Sequence, residues 1–446
     1  MDLLNGTIWD KALRFAVPLA LTGMLQQLFN AADIAVVGRF VGANAMAAVG
    51  SNAPVVGLLV NLFVGISIGA NVVIARYTGQ RNAKKTSEAT HTAFLLALIC
   101  GLIVAVVGSI CSGPMIRMMG VPEEVADYSM LYLRIYFIGV PFIILYNFES
   151  AIFRSQGNTK TPLISLTIGG VLNVAANLFF VLKLHMTVDG VACATVLANA
   201  VSSSMLFVFL RREKSDIRLD MKKMHINGRI LKQMLAIGVP SGLQSMVFSI
   251  SNICIQSAIN SLGAAVMAAS SAAFNIEIFA YYVTNSFGQA CVTFIGQNYG
   301  AGNYQRCRKI TKQLTLLNIG FAVAFSIVII IGARFFLSLF NQDPEIIEIG
   351  LIRVRLLMCA QAVSAVLETL SGTLRGLGKS LEPAIITFVG ICGTRIAWVY
   401  SVFLISHNFM TLMAIYPLSW VFAAVILVIV YWKVSRKLYS QHISGE

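Results

Sequence analysis

The chain has 446 residues, 57% of them hydrophobic and only 12% charged, with a mean hydropathy of +0.78 and a formal net charge of +14. Soluble domains hold about 45–50% apolar and about 25% charged residues, so this composition excludes a soluble enzyme or binding module and describes a polytopic membrane protein. The basic surplus does not indicate nucleic acid, because lysine and arginine fall in short connections between apolar spans.

The first span, 13–37, is long and apolar enough to cross a bilayer, which takes about 20 residues. Within it Gln26, Asn30 and Asp33 fall at i, i+4 and i+7, one face of a helix. A carboxylate at membrane depth costs about 2.5–3.5 kcal/mol, so such a stripe reads as the wall of an ion or substrate pathway. The alternative for Asp33 is a helix-end charge at headgroup level. Pro18 removes a backbone hydrogen bond and marks a bend.

Eleven further spans follow at 46–74, 91–112, 127–152, 161–184, 188–210, 235–260, 266–293, 313–338, 345–373, 384–406 and 412–432. The expected organisation is an N-terminal six-helix lobe over 1–210, a solvated cytoplasmic linker over 211–234, a C-terminal six-helix lobe over 235–432 and a cytoplasmic tail over 433–446. The N-terminus has no cleavable-signal pattern, since its apolar run is too long and lacks a small-residue cleavage site. With Arg14, Lys183 and Arg334 at span ends counted to the side they adjoin, the N-terminus, even-numbered connections and C-terminus carry 25 Lys and Arg against four on the odd-numbered side. The bias places both termini in the cytoplasm and the chain in the cell (plasma or inner) membrane.

The chain is also a repeat. Leu13-Arg14-Phe15-Ala16-Val17-Pro18 matches Leu235-Ala236-Ile237-Gly238-Val239-Pro240, and Arg154, Gly157 and Pro162 match Arg375, Gly378 and Pro383 at one constant displacement. Six spans per half insert the same way up, so the halves form parallel repeats about an axis along the membrane normal, a transporter layout. The fold class is therefore all-α integral membrane, with twelve transmembrane helices in two lobes related by a parallel pseudo-twofold repeat.

Asn173 and Asn177 lie at i, i+4 in the fifth span, and Thr195, Asn199 and Ser202 are similarly spaced in the sixth. Counted along their helices, Asp33, Asn177 and Thr195 reach one depth, where carboxylate, amide and hydroxyl oxygens would hold a sodium ion or tune a proton on Asp33. For Asn199 and Ser202 ordinary interhelical hydrogen bonding is preferred. The second half has its own stripe of Ser245, Ser249, Asn252 and Gln256, but Ile255 aligns with Asp33. Glu277, with Tyr281 and Asn285 on its face, is the acid candidate there. Glu149 and Glu368 are expected to reach the interface, Arg134, Arg353 and Arg355 to snorkel outward, and Arg395 to pair with an acid. Eight scattered cysteines lack metal-ligand or redox spacing. Gly65-Ile66-Ser67-Ile68-Gly69 spells a hydrolase elbow, but no histidine lies at span depth, and the same glycines fit close helix packing.

Pro18 with Gln26, Asn30 and Asp33, Leu172-Asn173, Val191-Ala192, Ala194-Thr195, Gly296-Gln297-Asn298 and Leu374-Arg375-Gly376-Leu377-Gly378-Lys379-Ser380 together resemble the multidrug and toxic compound extrusion (MATE) family. The likeness covers essentially the whole chain, and the acid in the first span resembles the DinF-like branch. It implies export of small organic, cationic compounds in exchange for protons or sodium by alternating access, without a cofactor, and by a monomer in the lipid bilayer. By position, Asp33, Asn173 and Thr195 match the cation-coupling site, and Asn177 is the fourth candidate residue of it. Gln26 and Asn30, with Glu277, Tyr281 and Asn285, then form the substrate cavity, and Pro18 and Pro240 the hinges. The fifth-span position that is usually Asp is Asn177 here, leaving one carboxylate where two are common. The rival readings are a flippase for lipid-linked oligosaccharide, an intramembrane serine hydrolase using Ser67, and a channel.

Overall fold

The computed structural model describes residues 1–119 and 121–443, and those residues form thirteen helices and one 3₁₀ turn, Met221–Lys223. In chain order these are α1 (Trp9–Phe40), α2 (Ala43–Gly79), α3 (Ala83–Met118), α4 (Glu123–Ser155), α5 (Lys160–Leu182), α6 (Val188–Arg212) and α7 (Gly228–Asn260). They continue with α8 (Ala264–Gly300), α9 (Tyr304–Ser338), α10 (Pro344–Cys359), α11 (Gln361–Gly376), α12 (Leu381–Ser406) and α13 (Phe409–Ile443). Eleven of them are long and apolar enough to cross a membrane. The twelfth span is α10 and α11 together, so the fold is twelve transmembrane helices in two six-helix lobes.

The tenth span was expected as one helix over 345–373, and the structure breaks it at Ala360. There the hydrogen bonds tighten to an i−3 pattern, Ala360 N to Leu357 O at 3.2 Å and Val363 N to Ala360 O at 2.9 Å. The helix α12 is irregular too, with π-helical turns at Phe388–Gly393 and Val399–Phe403.

The internal repeat is visible in how two helices end. Gly157 (φ 76°) and Gly378 (φ 74°) follow α4 and α11 in the left-handed region that a side chain disfavours. Their amides donate to Arg154 O and Arg375 O at 2.8 Å, and the next amides, of Asn158 and Lys379, donate to Phe153 O and Leu374 O. The same helix stop is therefore built twice from the same residues.

Two compact bodies emerge, one from Leu21–Gly238, the other from Val239 onward together with Met1–Ala20. The boundaries lie inside α1 and α7, two residues from Pro18 and next to Pro240. In the second body the chain's first turns are anchored on α8 and α9. Phe15 meets Phe294 edge-on at 5.7 Å, Asn298 Nδ2 donates to Leu3 O, and Arg306 Nη2 donates to Asn5 O and Gly6 O. In the first body α7 starts against α2. A Cβ on Gly69 would stand 2.1 Å from Met234 O, and one on Gly238 would stand 2.5 Å from Ile66 O, so the backbones touch there.

The linker after α6, expected to be solvated, keeps most of its residues exposed and is pinned at a few points. Ile217 and Leu219 are buried, Leu219 N donates to Leu210 O, and the Asp220 backbone bonds His91 Nε2. Two apolar side chains in the basic run carry that docking.

Candidate functional site

In the first body, Gly169 and Gly170 decide where α5 lies. A Cβ on Gly170 would fall 1.8 Å from the Phe29 ring of α1, and one on Gly169 would fall 2.0 Å from Ser202 Oγ and 2.8 Å from Ala198 O of α6. One turn further along α5, that close approach brings the polar groups together. Asn177 Nδ2 donates to Asp33 Oδ1 at 2.5 Å and reaches Asn173 Oδ1 at 3.3 Å. Thr195 Oγ1 lies 3.3 Å from Asp33 Oδ2, 3.0 Å from Val191 O and 3.4 Å from Asn173 Nδ2. Asn173 and Asn177 are buried, Asp33 and Thr195 half-buried. The cluster thus holds one carboxylate, which accepts from neutral donors that do not titrate in the working range.

Further along α1 the other members of its stripe, Gln26 and Asn30, are exposed and take no hydrogen-bond partner among the described residues. They leave a polar edge leading to Asp33. In the same body Tyr132 and Tyr136 of α4 are buried and stack with ring centroids 6.1 Å apart. Sequence reasoning overlooked this pair, although its i, i+4 spacing on a spanning helix was the available signal.

The second body holds a different polar core. Arg353 grips Glu277 through Nε (3.1 and 3.2 Å) and Nη2 (3.0 Å), and its Nη1 reaches Ser270 Oγ. The guanidinium of Arg353 also faces the rings of Phe274 and Tyr416, each at 5.8 Å. On the Tyr416 ring lies a second guanidinium, that of Arg395, at 4.2 Å, which also faces Phe248 at 5.2 Å. Arg395 is wholly buried, donating from Nε to Ser419 Oγ (3.3 Å) and from Nη1 to Asn252 Oδ1 (3.2 Å).

With both clusters described, the chain was compared with known proteins. The family model MatE matches residues 18–179 and again 240–401. The chain belongs to the MatE family. Among its relatives, the probable multidrug resistance protein YoeA of Bacillus subtilis is 28% identical over 408 residues, covering 90% of this chain and 88% of that protein. The probable multidrug resistance protein NorM of Thermotoga maritima is 27% identical, covering 87% and 84%, and a FAD transporter of Shewanella oneidensis is 25% identical, covering 80% of each. A crystal structure of MATE in complex with MaL6 superposes with a TM-score of 0.92 at 21% identity, covering 98% of both chains, which concerns the fold alone.

As a MatE member the chain is a multi-pass membrane transporter and not an enzyme. In keeping with that, Ser67 Oγ donates to Val64 O of its own helix. The MatE repeat is displaced by 222 residues at both of its ends. At that displacement Asn30 stands opposite Asn252 and Asp33 opposite Ile255.

The expected site residues divide accordingly. Asp33, Asn173, Asn177 and Thr195 form one bonded group, whereas Glu277 is separated from the partners expected for it. Tyr281 and Asn285 lie instead with Glu368, to which Asn285 Nδ2 donates at 3.3 Å. Three expectations about charges are corrected. Arg353 does not snorkel but closes the buried pair with Glu277. Glu149 does not reach the interface; it is buried and accepts from Ser203 Oγ at 2.9 Å. Arg395 meets no acid among the described residues, because amide, hydroxyl and aromatic faces surround it. Ser202 makes the interhelical hydrogen bond expected of it, to Ser165 O at 3.1 Å, whereas Asn199 bonds Thr195 O one turn back in its own helix at 2.8 Å.

Proposed function

We propose that this chain is a secondary active efflux antiporter that exports small, drug-like organic compounds in exchange for protons taken up at Asp33. The observation that carries this reading is the bonded group of Asp33, Asn173, Asn177 and Thr195, in which one half-buried carboxylate is the only group able to change charge. The multidrug names of the relatives support the cargo class and do not favour the oligosaccharide flippase. A proton needs a single carboxylate oxygen, whereas a sodium ion wants oxygens on several sides. The Asn177 amide meets Asp33 nitrogen-first, and the position that would add a second carboxylate is Asn177 itself.

Protonation of Asp33 removes the charge that strengthens the contacts from Asn177 and Thr195, so α1 is released from α5 and α6. Pro18 and Pro240, beside the two points where the chain passes between bodies, are where α1 and α7 would bend. Both termini face the cytoplasm in this reading, as the charge bias requires.

The test is efflux of an organic cation dye from proteoliposomes under an imposed proton or sodium gradient. Export should follow the proton gradient and fall as the pH on the proton-supplying side rises. Asp33→Asn, nearly isosteric, should leave the protein folded and inserted while abolishing gradient-driven export. Well-folded Asp33→Asn protein that exports at near wild-type rates would overturn the mechanism, and export driven by sodium alone would replace the proton.

A further inference from the structure

The polar core of the second body contains two guanidiniums and one carboxylate. Glu277 and Ser270 serve Arg353, and no acid serves Arg395 among the described residues. Burying an unpaired charge costs several kcal/mol, and a desolvated cation–π contact returns about 2 kcal/mol. An arginine does not escape by deprotonating, and its planar fork offers parallel N–H groups suited to carboxylate or phosphate oxygens. On Arg395 that fork is incomplete: Nε and Nη1 have partners, but Nη2 is buried with none.

Placement gives this deficit a functional meaning. In the first lobe the α1 stripe reaches across to α5 at Asp33. In the second, the matching α7 stripe of Ser245, Ser249 and Asn252, all half-buried, reaches across to α12 at Arg395. The two π-helical turns of α12 bracket Thr394–Trp398, the segment that carries Arg395, and such turns recur at functional sites. An open, mostly apolar depression of about 330 Å³, to which Thr394, Ser401 and Ser419 contribute the polar groups, borders the same shell through Ser419.

We propose that Arg395 is the base of an anion-binding subsite in the C-terminal lobe, taking an oxyanion, carboxylate or phosphate, presented by a transported compound or by an inorganic ion. The proposal rests on the transporter reading for the first source and stands without it for the second. Where the oxyanion belongs to the cargo, the preferred substrates carry an acidic group beside any cationic one.

The experiment compares a rhodamine bearing a free carboxylate with its methyl ester, in proteoliposomes of wild-type, Arg395→Gln and Arg395→Lys protein. Melting temperature is followed in parallel with inorganic phosphate, benzoate and benzamide. Wild-type protein should prefer the free acid by about tenfold, as a charged hydrogen bond implies. Arg395→Gln should lose that preference, and Arg395→Lys, a point charge without the fork, should keep part of it. Benzoate should raise the melting temperature of the wild type and benzamide should not, a comparison that holds even if Arg395→Gln fails to fold. A rise with phosphate, with acid and ester exported alike, identifies an inorganic ion as the occupant. A rise with benzoate while neither dye moves keeps the anion site and rejects the transport reading. Acid and ester handled alike, with no response to phosphate or benzoate, overturns the proposal.

Discussion

The two lobes repeat one architecture and fill it with opposite charge. At the crossing of α1 and α5 stands a lone half-buried acid held by neutral donors. At the crossing of α7 and α12 stands a lone buried guanidinium whose charge is permanent. The acid of that lobe's polar core, Glu277, is fixed by three hydrogen bonds from Arg353. A duplicated helix frame therefore does not duplicate a site: with Ile255 where the first half has its acid, the second copy lacks a counterpart of Asp33.

The sharpest way to break that contrast is to treat the two acids alike. Glu277→Gln leaves Arg353 buried and unpaired, which costs about 3–5 kcal/mol. The expected outcome is a large drop in melting temperature and little folded protein in gel filtration, whereas Asp33→Asn melts like the wild type. Equal melting of both variants would mean that Glu277 is as free as Asp33. A middle-sized effect is expected at Gly169→Ala, since an overpacked contact costs about 1–3 kcal/mol. It should lower the melting temperature and weaken proton-driven export together by displacing Asn173 and Asn177. Adding Ser202→Gly should restore only part of the loss, because Ala198 O still stands 2.8 Å from the new Cβ. The smallest effect belongs to Thr195→Val. Its hydroxyl is shared between Asp33 and Val191 O, so its removal should cost about 0.5–1.5 kcal/mol. That would appear as a severalfold change in the proton concentration giving half-maximal export, with unchanged melting.

Much of the first lobe's site was legible before any coordinates. Asp33, Asn173, Asn177 and Thr195 are polar residues on spanning helices, and counting along a helix of fixed rise puts Asp33, Asn177 and Thr195 at one depth, with Asn173 one turn from Asn177. Arg353 was read as snorkelling because it stands near a span end with a long side chain, and only the position of α8 shows Glu277 within reach. Arg395 was expected to need an acid because a mid-span charge usually has one. Two aromatic faces, an amide and a hydroxyl from four other residues take that place, and none shares a local pattern with it.

The sequence by itself determined the twelve apolar spans, the internal repeat with its matched Gly157 and Gly378, and the common depth of Asp33, Asn177 and Thr195. Bilayer thickness, helix rise and backbone sterics are local constraints that each stretch of chain meets alone. The tertiary structure decided which polar groups meet: Glu277 with Arg353, 76 residues apart, and Arg395 with Asn252 and Tyr416. It also decided where the linker and the first turns of α1 and α7 dock. Those choices depend on how each helix is rotated against its neighbours, and that rotation is set by close contacts such as Gly169 on Ala198, between residues far apart in the chain.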